Sequence, residues 1–193
     1  MAVIIPNHKS IFVHIPKTGG MSIQRWLLDN TDSYVTKASK HHSLKSLEEK
    51  YGKFDFSFTV VRNPWDWCVS WYFFRRDRAL RRISNPKNKG KFSLEYNQKV
   101  LDDFEKGFDY FIETTVLKEQ SLKTEGVNTV LKLESIETDI QIIRDKFNIN
   151  APLPYINKSN RSLDYKQYYN QKTKLIVANK FANDIHLFGY DFW

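Results

Sequence analysis

The sequence predicts an α/β fold, a single domain over residues 1–193 with a central parallel sheet flanked by helices. Three observations carry this. Short apolar runs rich in β-branched and aromatic residues, at 11–15, 54–61 and 129–133, are separated by longer stretches with helical spacing. Strands that alternate with helices need crossovers, and crossovers give parallel neighbours covered on both faces. The first run opens directly into Pro16-Lys17-Thr18-Gly19-Gly20, a strand–glycine loop–helix unit that makes the sheet P-loop-like.

Taken in order, the first strand passes through the loop into a helix carried by Ile23, Trp26 and Leu27. Residues 29–40 read as a polar loop with a short extended piece at Tyr34-Val35-Thr36. Ser43 then looks like the N-cap of a helix to Tyr51, which Gly52 ends. The second strand, 54–61, stops at Arg62-Asn63-Pro64, where Asn63 and Pro64 suit the N-cap and first position of a helix running to Arg82. Its first half is aromatic nearly all round and must be buried; its second half, RRDRALRR, cannot be. Residues 84–91 form a basic turn or loop, and helices are expected at 93–106 and 110–120. The third strand, 129–133, precedes a helix at 136–147, a loop at 151–161 with prolines 152 and 154, and a last helix at 171–181. His14 falls inside the first strand as a hydrogen-bonded core residue.

Composition narrows the partners. The chain has 193 residues, is 41% hydrophobic, and carries 30 Lys and Arg against 22 Asp and Glu, a net charge of +8. Such a balance favours anionic partners without choosing among nucleotides, nucleic acid, acidic sugars or a membrane surface. The single cysteine, Cys68, rules out an internal disulfide and reads as a small core hydrophobe in a reducing compartment. No apolar run approaches the roughly 20 residues of a membrane span, and the N-terminal run is too short for a signal peptide. A cytoplasmic location is expected.

The loop aims consecutive backbone N–H groups at one point at the positive end of a helix, which suits a phosphate or another oxyanion. It is not a nucleoside-triphosphatase loop of the form G-x-x-x-x-G-K-[ST], because Lys17 precedes both glycines. Nor does an acidic residue close the second strand to hold magnesium; Arg62 and Asn63 stand there. Phosphoryl transfer leans on the ion, so a metal-dependent nucleotide or sugar kinase is the weaker reading. A basic nucleic-acid-binding module is the other alternative; it leaves the loop and the spacing of Arg62 and Ser70 unexplained. Arg62 sits at the C-terminal end of its strand, where open α/β sheets bind ligands. Ser70 follows about two helical turns later, roughly 9 Å along the axis, so both side chains could reach one phosphate.

Two stretches, H-I-P-K-T-G-G-x-S and V-V-R-N-P-W-D-W-C-V-S-W-Y, resemble the 5′-phosphosulfate loop and the 3′-phosphate motif of sulfotransferases. Those enzymes use 3′-phosphoadenosine 5′-phosphosulfate (PAPS), and the nearest likeness is to the carbohydrate-type branch, including small soluble bacterial members. The resemblance extends through K-H-H-S-L-K-S-L-E-E-K-Y-G, L-P-Y-I-N-K-S and D-I-H-L-F-G-Y-D-F, and is weakest between residues 82 and 128. It implies PAPS as co-substrate, no metal, and a hydroxyl-bearing acceptor that is a glycan or another small molecule, with nucleic acid disfavoured.

Residue by residue, the resemblance implies that Lys17 contacts the leaving phosphate and the transferring sulfuryl. Thr18, Gly19, Gly20, Met21 and Ser22 cradle the 5′-phosphate, with Met21 offering only its backbone where a threonine is usual. Arg62 and Ser70 hold the 3′-phosphate, and Lys158 and Ser159 complete the nucleotide pocket. In-line transfer also needs a group to take the acceptor's proton, and His41 or His42 can supply it. Both precede a helix start, where the dipole favours neutral imidazole; the resemblance points to His41 and leaves His42 to the substrate side. Arg75, Arg78 and Arg82 share a helical face and read either as an acidic-acceptor site or as a solvated helix end.

Overall fold

A computed structural model of the chain describes residues 2–36, 43–84, 94–156, 162 and 164–192. In order, its elements are β1 (Ala2–Ile5), β2 (Ser10–Val13), α1 (Gly20–Asn30), β3 (Tyr34–Val35), α2 (Leu44–Tyr51), β4 (Phe56–Val61) and α3 (Pro64–Ser84). There follow α4 (Leu94–Glu105), α5 (Gly107–Thr114), β5 (Thr129–Lys132), α6 (Ile136–Asp139), α7 (Gln141–Phe147), α8 (Gln171–Lys180) and α9 (Ala182–Phe188). They gather into two compact units, Met1–Asn63 with Glu119–Lys158, and Pro64–Lys118 with Ser159–Trp193.

The first unit holds a five-stranded sheet in the order β3-β1-β2-β4-β5. The α/β class stands, but the sheet is mixed rather than parallel. β2, β4 and β5 are parallel neighbours, whereas β1 runs antiparallel to both β2 and β3. The short Ala-Val-Ile-Ile run forms β1, and a single turn of 3-10 helix, Pro6–His8, followed by Lys9 in the left-handed region at φ 43°, folds it back onto β2. A two-sided hairpin of this kind needs no crossover.

All eight residues of β1 and β2 are buried, as expected where both faces are covered. Alternation decides which face each side chain serves. Val3, Ile5, Phe12, Phe58, Val60 and Leu131 pack with Ile23, Trp26 and Leu27 of α1 and with Ile143 and Phe147 of α7. Ala2, Ile4, Ile11 and Val13 turn the other way onto Leu44 and Leu47 of α2. The Trp26 indole is sealed from solvent and donates to the Ala151 carbonyl at 2.9 Å; an aromatic buried to this degree is worth about 3–5 kcal/mol against alanine. Two boundaries differ from expectation. The helix expected at 136–147 is interrupted at Ile140, whose side chain is buried in the core. His14 lies just past β2 rather than within it.

The second unit is helical. The aromatic first half of α3 is buried as its composition requires: Trp65, Trp67 and Tyr72 pack with Phe108 and Phe111 of α5, and with Val177 and Phe181. The Tyr169 hydroxyl donates to the Trp65 carbonyl at 2.8 Å, and the Trp65 indole donates to the Lys174 carbonyl at 3.1 Å. A capping box between Asn170 and Thr173 starts α8. The helix expected at 110–120 lies earlier, at Gly107–Thr114, and α9 stands where no helix was expected. Cys68 is wholly buried, and burial pushes its thiol up to about 12, so it is an inert core residue. Among the described residues no helix is long and apolar enough to cross a membrane.

Candidate active site

Adjacent parallel strands deliver their C-terminal loops to one sheet edge, and β2 and β4 are such a pair, in register from Ser10 opposite Phe56 to Val13 opposite Thr59. The Thr59 hydroxyl ties the two ends together by donating to the Val13 carbonyl at 2.6 Å. From β2 the chain enters the lysine–glycine loop, and from β4 it reaches Arg62.

Left-handed residues at Lys17, φ 70°, and Gly19, φ 77°, turn the loop twice within three residues. Turns of this kind make concavities of N–H groups that suit anions. Thr18 is fully buried and its hydroxyl donates to the Ile15 carbonyl at 2.8 Å, bracing the loop from within. No side chain caps α1, and its first turn holds no acidic residue, so the positive end of its dipole is not offset locally. Met21 is exposed, and the Ser22 hydroxyl accepts from the Ile156 N–H at 3.0 Å, tying the loop before 157–161 to α1.

Gly19 is favoured by its left-handed φ of 77°, and Gly20 is required by its neighbour. A Cβ on Gly19 would lie 2.7 Å from Cδ1 of Leu133; one on Gly20 would lie 2.1 Å from Cδ2 and 2.3 Å from Nε2 of His14. The His14 ring, stacked on Phe12 with centroids 5.9 Å apart, is therefore the floor on which α1 begins. Alanine normally improves a helical glycine position by about 0.5–1 kcal/mol. Here overlap with a ring reverses the sign, and Gly20→Ala is expected to destabilise by about 1–3 kcal/mol. Thermal melting checks this: the loss should be recovered when His14→Ala is added, and a neutral Gly20→Ala would remove the steric account.

Arg62, the first residue past β4, is fixed from three sides. Its N–H donates to Oε1 of Gln120 at 2.9 Å, and its carbonyl accepts from Nε2 of the same amide at 2.7 Å. Its guanidinium donates to the Lys17 carbonyl at 3.1 Å. The next N–H, from Asn63, donates to Oε1 of Glu134 at 2.7 Å. The two stretches singled out in the sequence thus meet in one hydrogen bond, with Lys17, Thr18, Gly19, Gly20, Met21, Ser22 and Arg62 on one edge. Gln120, buried to 1% exposure, and Glu134 were not found from the sequence. The signal that could have found them, a neutral amide in E-Q-S-L-K and a carboxylate just after a strand, does not distinguish a buried clamp from a surface residue.

A family model described as the sulfotransferase family matches residues 1–191. The chain belongs to the sulfotransferase family. No curated protein and no solved structure matches it. Membership makes sulfuryl transfer its general chemistry.

The remaining residues expected in the sulfotransferase site divide by unit. Ser70 is on α3 in the second unit and is buried. On the same helix Arg75 is exposed, with its guanidinium 5.8 Å from the centre of the Phe111 ring, and Arg78 lies 5.9 Å from that of Phe74. Burial, then the neighbouring charge of Arg82, pushes the Arg78 guanidinium down from its ordinary range. Arg82 is half-buried. Arg75 also borders a cavity of about 160 Å³ that it shares with Tyr72, Arg76, Phe104 and Tyr110. His41, His42, Lys158 and Ser159 lie outside the described residues, as do residues 85–91 of the expected basic loop.

Proposed function

We propose that this sulfotransferase moves the sulfuryl group of PAPS to an acceptor hydroxyl, in line, with His41 as base and without a metal, and that the acceptor is a carbohydrate. The observation that carries the reading is the bond from the Arg62 guanidinium to the Lys17 carbonyl, because it joins a 5′-phosphate type of loop to a second cation at the same sheet edge. The cradle suits such a group: a left-handed glycine beside one whose Cβ has no room, an uncapped helix start, and a half-buried lysine.

PAPS supplies an activated sulfuryl group on a phosphate leaving group. The chain's part is then electrostatic and positional. Lys17 offsets charge at the leaving oxygen; the N–H groups of Thr18 to Met21 hold the 5′-phosphate, the Ser22 N–H being given to the Gly19 carbonyl at 2.9 Å. Arg62 and Ser70 take the 3′-phosphate, joined by Lys158 and Ser159. His41 removes the acceptor's proton as the new S–O bond forms. An acidic acceptor is supported by the net charge of +8 and by Arg75, Arg78 and Arg82 on one helical face; an arginine suits a carboxylate or sulfate.

Two measurements test the reading. Calorimetric titration with adenosine 3′,5′-bisphosphate should show binding that does not depend on magnesium. Incubation with labelled PAPS and a panel of glycans, peptides and small alcohols should yield a sulfated glycan by mass spectrometry. Absence of bisphosphate binding removes PAPS from the reading, and a sulfated peptide in place of a glycan removes the carbohydrate acceptor.

A further inference from the structure

The peptide unit between Lys17 and Thr18 is gripped by its oxygen, which accepts from Nη1 of Arg62 at 3.1 Å. That unit is trans, as are all the described peptides, and a planar trans peptide points its C=O and its N–H in opposite directions. The bond that holds the Lys17 carbonyl on the guanidinium therefore turns the Thr18 N–H away from it. In the reading above, that N–H is one of the groups that hold the 5′-phosphate.

This orientation has a competitor. Lys17 lies in the left-handed region at φ 70°, where lysine is rare, and Gly19 follows at φ 77°. Tight turns interconvert by rotation of one peptide through about 180°, the relation between turn types I and II. Rotation of the Lys17–Thr18 peptide would present a carbonyl oxygen where the Thr18 N–H now stands and set it against an oxyanion. It would also bring an N–H to the guanidinium, which has only donors to offer. Arg62 opposes that rotation.

A guanidinium can act in this way only from a fixed base. Gln120, with 1% of its surface exposed, provides one. Its Oε1 accepts from the Arg62 N–H at 2.9 Å, and its Nε2 donates to the Arg62 carbonyl at 2.7 Å. The ends of β2 and β4 are themselves tied by the Thr59 hydroxyl, at 2.6 Å from the Val13 carbonyl. One run of bonds thus leads from a buried amide, through Arg62, to the strained residue of the loop. Strain of this kind persists where the surroundings over-determine the backbone, and it collects at ligand clamps.

We propose that Arg62, seated by Gln120, is a positioning residue of the 5′-phosphate loop, locking the Lys17–Thr18 peptide with its N–H turned to the bound oxyanion. This role is additional to the place given to Arg62 at the 3′-phosphate. It rests on the PAPS reading for the identity of the oxyanion. Because one residue then serves both phosphate positions, its loss reaches a ligand that has no 3′-phosphate at all.

Adenosine 5′-monophosphate, which offers Arg62 no 3′-phosphate to pair with, is the deciding probe. It and adenosine 3′,5′-bisphosphate are titrated by calorimetry into the wild type, Arg62→Ala and Gln120→Ala. The Lys17 carbonyl-carbon and Thr18 amide resonances of each ligand-free protein are recorded by NMR. Arg62→Ala is expected to weaken monophosphate binding by about tenfold and to move both resonances. Gln120→Ala keeps the charge; it should move the resonances in the same direction and weaken the monophosphate by about threefold or more. Monophosphate affinity within about twofold of the wild type in Arg62→Ala, with the bisphosphate weakened, overturns the proposal and leaves Arg62 to the 3′-phosphate alone. So do resonances at their wild-type positions in both variants. A Gln120→Ala protein that melts lower yet keeps the monophosphate affinity and both resonances strikes Gln120 from the proposal as a merely structural residue. A wild type that binds neither nucleotide removes the PAPS reading; inorganic phosphate then replaces the monophosphate, and the same comparison decides the proposal. A wild type that binds no phosphate either overturns both.

Discussion

Lys17→Ala slows sulfuryl transfer by about 10²–10³-fold and weakens adenosine 3′,5′-bisphosphate binding with it. The size follows from the role proposed for the ammonium: at the oxygen on which charge builds as the S–O bond breaks, preorganised charge is worth far more than in water. Backbone conformation offers a control. Lys17 holds a left-handed φ of 70°, which costs an L-residue about 1–2 kcal/mol. Alanine keeps the Cβ and hence the strain, so Lys17→Ala isolates the ammonium. Lys17→Gly removes both, and should melt no lower than the wild type while losing activity to the same extent. Single-turnover transfer beside calorimetry makes the comparison. A parental rate in either variant takes Lys17 out of the mechanism.

His41→Ala lowers turnover by about 10²–10⁴-fold, the span of general base catalysis, and leaves bisphosphate affinity within about twofold. The argument rests on the helix that follows. Ser43 caps α2, its hydroxyl accepting from the Ser46 N–H at 3.4 Å, and His41 stands two residues ahead of that cap in the sequence. A helix start disfavours imidazolium and keeps the ring able to accept a proton. His42→Ala serves as the comparison, with turnover within about threefold of the wild type. Should His42→Ala produce the large loss instead, the two roles exchange; should His41→Ala lose nucleotide affinity in step with turnover, His41 belongs to the nucleotide pocket.

What the sequence made legible, and what it hid, has a physical pattern. Strands at 54–61 and 129–133 were visible because continuous β-branched and aromatic runs mark strands buried on both faces. α2 was bounded to the residue because Ser43 and Gly52, φ 89°, are local stop signals. β1 was not, since four apolar residues ahead of a proline carry no period and need the neighbours β2 and β3 to become a strand. α9 follows α8 after Phe181 alone, and no glycine or proline marks the joint. In the site, Lys17 and Arg62 were found through motif order. His14 and Gln120 were not: a ring under a glycine and an amide against a backbone are relations created by packing between distant segments.

The Gln120 clamp has a consequence for how activity should respond to acidity. A side-chain amide offers one donor and one acceptor in the same plane, as a peptide unit does, and here it meets Arg62's N–H and carbonyl as a neighbouring strand would. It carries no charge and gains or loses no proton across the range in which proteins stay folded. The two bonds that Gln120 makes to Arg62's backbone are therefore held equally at acid and alkaline pH. In a rate profile the Gln120 clamp is then a fixed background against which the titrating groups, the Glu134 carboxylate at the Asn63 N–H included, are read.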